Sequence, residues 1–228
     1  MSSNLKNPAR EAILSRINMA LLPTPESQPE DHIATSWSAI PRTFRHDTQA
    51  SPQDVLHLLI DRLHDYDAQV LTCTPSGITE SIAKMLTARG VRKLLLPAGF
   101  PEDILPQGFE YIPDGREGES LTAAQLDATD GVITLSTLAI AETGTLVLQN
   151  VPGQGRRAAS LVPDYHLCLV NAADVKATVP EAVAALQPTA ALPTTFISGP
   201  SATADIEMTR IKGVHGPRFL DVILISSE

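Results

Sequence analysis

Apolar positions change their period along this chain in a way that marks out its parts. Near the N-terminus Ala9, Ala12, Ile13, Ile17, Ala20 and Leu21 recur at helical spacing, which predicts an amphipathic helix to about Leu22. Asn7 and Pro8 stand where an N-cap and a first helical residue belong. Residues 23–50 lose that period. Pro23, Pro25, Pro29 and Pro41 interrupt them, so they read as an irregular linker that Trp37 and Phe44 pin to something apolar. Ser51-Pro52-Gln53-Asp54 opens a second helix to about Tyr66, with Val55, Leu58, Leu59 and Leu63 on one face. Residues 1–66 are therefore expected as N-terminal helices and linker packing on a core formed by residues 67–228.

From Gln69 onward, short apolar runs alternate with helical stretches. The runs are QVLTC, KLLLP, FEYI, GVITLS, GTLVLQ, HLCLVN, TTFIS and FLDVILI. Helices are expected from about Thr79 to Gly90, near 180–187 and over 203–212. The 69–96 unit reads as a β-α-β crossover, which requires parallel strands. Little helix separates the runs between 131 and 171, which points to antiparallel additions. The expected class is α/β, a mixed, largely parallel sheet with helices on both faces and an N-terminal helical appendage.

Composition narrows the partners. Apolar residues make up 43%, charged residues 19% and aromatic residues 4%, an ordinary globular balance. The net charge is −9, and acid is spread over both halves with no basic stripe. That pattern argues against nucleic acid and against anionic membrane surfaces. No apolar run approaches the ~18 residues of a membrane span, and the N-terminus lacks the apolar stretch of a signal peptide. Cys73 and Cys168 lie in apolar runs without C-x-x-C spacing. Neither a disulfide framework nor a self-contained iron–sulfur cluster is expected from them, and the compartment reads as the cytoplasm.

Three stretches are dense in chemistry. In Ala139–Thr145, Glu142 sits in a small-residue turn entering a strand, where it could face a cleft as a general base or nucleophile, or simply bond backbone N–H groups. In Ile197–Glu207 a strand runs through Gly199-Pro200 into the expected helix, whose free N–H groups would seat a small anion near Ser201 and Thr203. Asp205 and Glu207 would oppose a phosphate there or merely complement the helix dipole. In Gly213–Arg218, His215 between glycines could act as acid or base, or brace the turn. His166, His215, Asp205 and Glu207 lack metal-ligand spacing, so no metal site is expected. Gly153-Gln154-Gly155-Arg156-Arg157 is a locally basic loop that either meets an anion or an acidic partner patch, or forms a solvated tip. Phosphate-cradle, dinucleotide and nucleophile-elbow motifs do not occur in the chain.

AIAETGTLVL, SLVPDYH, SGPSATADIE and GVHGPRFLDVIL, in this order, resemble the LUD domain family over nearly the whole chain. The resemblance implies a cytoplasmic bacterial protein taking part in the oxidation of L-lactate to pyruvate. It acts beside two partners, at least one carrying iron–sulfur clusters. A fold like that of glucosamine-6-phosphate deaminase, ribose-5-phosphate isomerase and the coenzyme A transferases is also implied, and in those transferases a Glu near a Gly is the nucleophile. The family's motif positions fall here on Glu142, Thr143, Gly144, Gly199, Pro200, Ser201, Thr203, Asp205, Glu207, His215 and Gly216. Thr137 replaces the family's usual Asp and Ala202 its usual Arg, which would remove an ion pair or alter the charge preference for a ligand.

Two functional readings result. In the first, the chain is a non-redox component of a lactate-oxidising system, without cofactor, binding a small anion or docking an iron–sulfur partner. In the second it is a transferase or isomerase acting on a coenzyme A thioester or phosphorylated small molecule. Glu142 would then be nucleophile or base with His215 assisting. Ligand contacts in either case are expected from Thr143, Gly144, Gly199, Pro200, Ser201, Thr203, Asp205 and Gly216.

Overall fold

The computed structural model describes residues 8–20, 30–43, 48–115, 120–203, 211–212 and 216–226. The chain divides into two units, Met1–Phe44 and Arg45–Glu228. In the first unit, helix α1 (Pro8–Ala20) forms where the apolar stripe predicts it, yet none of its residues is buried. Helix α2 (Glu30–Ala39) corrects the reading of 23–50 as irregular throughout. Its ten residues contain no proline or glycine, so the prolines around them bound a helix. Trp37 is exposed, with the Arg42 guanidinium 5.2 Å from its ring centre, rather than pinned into an apolar site. Phe44 lies outside the described residues.

The second unit begins with helix α3 (Pro52–Asp65), capped by Ser51 and Asp54 through reciprocal side-chain-to-backbone bonds. Its apolar face, Val55, Leu59 and Leu63, is fully committed to the core. Then follow β1 (Gln69–Cys73), α4 (Ile78–Arg89), β2 (Lys93–Pro97), β3 (Glu110–Asp114), α5 (Ala123–Asp127) and β4 (Gly131–Leu135). Next come β5 (Leu138–Ile140), β6 (Thr145–Gln149), β7 (Tyr165–Asn171), β8 (Val175–Lys176) and α6 (Val179–Leu186). The order ends with β9 (Thr194–Ser198), β10 (Ala202–Thr203), β11 (Ile211–Lys212) and β12 (Phe219–Ile225).

The central sheet has six strands in the order β1-β12-β7-β4-β2-β3, and every neighbouring pair is parallel. Strands covered on both faces need apolar side chains at nearly every position, which is why KLLLP and FLDVILI show continuous runs instead of alternation. On β12 the two faces separate residue by residue. Leu220, Val222 and Leu224 pack with α3, while Ile223 packs with Ile82, Met85 and Leu86 of α4 on the other side. Helices on both faces and a largely parallel sheet are thus both present.

The antiparallel additions expected over 131–171 are corrected in part: β4 and β7 in that stretch are central parallel strands, and only β5 and β6 pair antiparallel there, outside that sheet. β5 and β6 belong to a second sheet, ordered β8-β5-β6-β9 and antiparallel except for the β8-β5 pair, inserted in sequence between β4 and β7 and continued after β7. One face of it, Ala139, Ala141, Leu146 and Leu148, packs on the α3 side of the parallel sheet. The other face, Leu138, Ile140 and Val147, is covered by Ala182 and Leu186 of α6. Two three-dimensional ties brace the arrangement. Asp221, fully buried on β12, accepts two bonds from the Arg89 guanidinium of α4 at 2.7 and 2.8 Å, and one from the Gln69 amide that starts β1. Buried Asp114 accepts from Arg156 Nε at 3.0 Å, fastening the 153–157 loop to the end of β3.

Candidate functional site

The second sheet leaves a hollow of about 150 Å³ beside the starting ends of β7 and β12. Three chain segments wall it. The stretch before β7 contributes Arg157, Ser160 and Leu161, and β9 with its following turn contributes Phe196 through Ser201. Gly216 and Pro217 lead into β12, and His166 and Leu220 rise from the parallel sheet as the floor. His166 and Leu220 are direct neighbours in the ladder, so the floor is a rigid pair on adjoining strands.

The second and third sequence stretches meet here. The Ser201 amide donates to the Pro217 carbonyl at 2.8 Å, joining the Gly199-Pro200-Ser201 turn to Gly216-Pro217. Gly199 has φ +83°, and a Cβ on it would lie 2.7 Å from the Tyr66 ring, so only glycine lets this turn close against the end of α3. Gly199, Pro200, Ser201 and Gly216 all line the hollow.

The other expected positions are placed as follows. Glu142 is exposed at the hairpin between β5 and β6, its amide donating to the Ala177 carbonyl at 3.1 Å, and it is not among the lining residues. Gly144 in the same turn has φ +59° and packs on the backbone of Arg62. Thr143 reaches toward the hollow through a row of hydroxyls, Thr143 to Thr145 and Thr145 to Ser198, each 2.7 Å apart. Asp205, Glu207 and His215 lie outside the described residues, as does the side chain of Thr203. The helix expected over 203–212 is corrected at both described ends. Ala202–Thr203 and Ile211–Lys212 pair as antiparallel strands, so Ser201–Thr203 does not open a helix there. The two departures from the family pattern are not lining residues either. The Thr137 hydroxyl donates to Gln154 at 2.9 Å, and Ala202 is exposed opposite Lys212.

Of the groups that give the hollow its polarity, the sequence pointed to Ser201 and to the basic loop that carries Arg157, but not to Ser160, His166 or Ser198 as anion-binding groups. His166 is fully buried, and its Nε2 lies 2.8 Å from the Thr134 hydroxyl. Among the described residues its Nδ1 finds no hydrogen-bond partner. Burial, together with the nearby Arg157 guanidinium, pushes its pKa down to about 4, so the imidazole is neutral at pH 7. Arg157 is exposed and donates to the buried Ser160 hydroxyl at 3.2 Å. Its neighbour Arg156 points away to Asp114, so the two arginines of one loop have separate jobs. Among the described residues lining the hollow there is a guanidinium, an imidazole and three serines but no carboxylate. That set stabilises an anion and repels a cation. Among the described residues, no group of three or more His, Cys, Asp or Glu is placed to hold a metal ion, and no helix is long and apolar enough to cross a membrane.

A parallel α/β sheet with a second sheet stacked on it and a donor-lined hollow between them is the class that this fold and site define. Residues 59–225 match the model of the LUD domain, and the chain belongs to that family. It is 40% identical over 177 residues to the lactate utilization protein C of Deinococcus radiodurans, covering 77% of this chain and 81% of that protein. It is 35% identical to the lactate utilization protein C 1 of Bacillus mycoides, covering 88% of this chain and 91% of that one. The crystal structure of a DUF162 family protein from D. radiodurans superposes with a TM-score of 0.67 at 36% identity, over 77% of this chain and 99% of that chain.

Proposed function

We propose that this chain is a cytoplasmic component of an L-lactate-oxidising system, binding a small organic anion in the hollow and working beside an iron–sulfur partner protein. Membership of the LUD domain family and relatives named lactate utilization protein C support the system. The observation that carries the anion is the hollow itself, which places Arg157, Ser160, Ser198, Ser201 and neutral His166 around about 150 Å³ on a chain of net charge −9. A cation-bearing recess on an acidic protein is a local reversal of field, and such reversals attract anions of the matching size. Glu142, on which the transferase reading rests, is exposed and outside this recess.

The test is genetic first. Deleting the gene should abolish growth of the native host on L-lactate as sole carbon source while sparing growth on glucose. Re-introduced wild type should restore it and Arg157→Gln should not. Normal growth of the deletion strain on lactate removes the lactate role, and full rescue by Arg157→Gln removes the hollow from it. A tagged wild-type chain recovered from lactate-grown cells should bring down a cysteine-rich iron–sulfur protein in near-equal amount, and recovery of the chain alone refutes the partner.

A further inference from the structure

We infer that β9 is the contact by which two copies of this chain join, edge to edge and antiparallel, with Phe196 facing its twin across the two-fold axis. β9 ends the second sheet, so among the described residues no strand pairs with its outer edge. The hydrogen bonds decide which groups that edge presents. The Asn150 amide donates to the Pro193 carbonyl at 3.3 Å, in the same register that sets Leu148 against Thr195 and Leu146 against Ile197. Bonded pairs alternate along an antiparallel ladder, so Thr195 and Ile197 spend their backbone groups on β6, and Thr194, Phe196 and Ser198 turn theirs outward. The far side of β6 agrees, because Val147, opposite Phe196, accepts from the Thr137 amide on the β5 side.

An open edge invites pairing, and folds blunt it with proline, charge or shortness. Among the described strands that end a sheet, β3 carries Pro113 and β8 has two residues, while β1 exposes only Gln69 and Thr72. β9 has no such guard. Its five residues, TTFIS, hold no proline and no charge, on a chain of net charge −9. Ala182 and Leu186 of α6 cover Val147 on the outer face, yet Phe196 beside Val147 stays 53% exposed. The strand is also its own complement. With Phe196 opposite Phe196 of a second copy, Thr194 falls opposite Ser198, and the outward residues of both copies take up one another's N–H and C=O groups. Ring meets ring, hydroxyl meets hydroxyl, and no like charges meet along the strand, which selects a second copy over a charged peptide. A five-residue edge buries little area, so the pair depends on concentration.

Sedimentation of the full-length chain between micromolar and near-millimolar concentration tests this, and the mass should rise from 24.4 kDa toward twice that value. Phe196→Lys and Phe196→Glu should each weaken the pair on the order of 10-fold, since each loses the ring pair and sets like charges face to face on the axis. Mixed in equal amounts, the two variants should recover association, because opposite charges then meet. In wild type, amide exchange at Phe196 and Ser198 should slow as concentration rises, while Thr195 and Ile197, already bonded to β6, change little. A chain that stays monomeric throughout overturns the inference, as does a dimer indifferent to both Phe196 variants. Association lost in both variants and not recovered on mixing overturns the two-fold register. Exchange at Phe196 that slows only when the proposed iron–sulfur partner is added gives the edge to that protein and overturns self-pairing. If a variant does not fold, wild-type exchange decides, and no slowing at Phe196 overturns the inference.

Discussion

His166 is buried among apolar strands, with Thr134 beside it on β4, Leu220 beside it on β12, and Arg157 as the charged neighbour that disfavours its protonation. Its pKa falls from 6.5 to about 4. Between those values the unfolded chain holds a proton that the folded chain does not, so stability is fully present above pH 6.5 and falls as pH drops toward 4. The loss by pH 4 is on the order of 3 kcal/mol for this group. Urea midpoints of wild type at pH 7 and pH 4.5 should differ by more than those of His166→Gln, because the variant lacks this titration. Parallel losses in the two proteins would mean that another group sets the acid limit. Nothing in the run HLCLVN announces this role. A histidine in an apolar strand reads as core filling, and its place in the hollow depends on β9 and the 157–161 segment, which wall that hollow from distant parts of the chain. Arg156 and Arg157 are likewise indistinguishable in sequence. Tertiary structure gives the first to Asp114 and the second to the hollow. Gly199 and Gly216 were legible because a glycine beside a strand end carries its reason, close approach, in its own chemistry.

Helix starts are local, and three of them follow one pattern. Ser51 with Asp54, Thr122 with Gln125 and Thr178 with Glu181 each form a reciprocal cap, in which a hydroxyl takes an N3 amide and the N3 side chain takes the cap amide. Thr178→Ala should cost about 1 kcal/mol, read as a lower urea midpoint with unchanged slope, since the Glu181 amide would lose its hydroxyl acceptor. A change under ~0.3 kcal/mol would mean that the Glu181 bonds to the amides of Ala177 and Thr178 hold this start alone. Turns depend more on what lies across from them. Gly144→Ala should destabilise by about 1–3 kcal/mol, because φ +59° strains an alanine and its Cβ would fall 2.8 Å from that of Arg62. An unchanged midpoint would show that α3 yields at this contact. Elements failed to be legible where local composition misled. Prolines around 30–39 concealed α2, and the polar stretch after Gly199-Pro200 concealed the pairing of Thr203 with Ile211, two β-branched residues suited to a strand.

At the scale of the whole chain, period and class were readable but partition was not. Continuous apolar runs marked the parallel strands, because strands covered on both faces must be apolar throughout. The second sheet was not separable from the first. Antiparallel strands alternate in the same way whether they extend a sheet or stack on it, and only the shared contact of Ala139 and Leu146 with Val222 reveals the stacking. Among the described residues the apolar clusters draw on residues from Val55 onward, and the LUD domain match begins at residue 59 within α3. Residues 1–44, by contrast, form a unit of their own, and α1 contributes no buried side chain to any core. Stability of the α/β unit should therefore be carried without them. A chain beginning at residue 45 should unfold in one cooperative transition, with a urea midpoint close to that of the full chain. If it precipitates, or unfolds with a reduced slope, the stability of the α/β unit depends on the first 44 residues. If the fold survives but the proposed iron–sulfur partner is no longer recovered, the apolar stripe of Ile13 and Ile17 is a docking element.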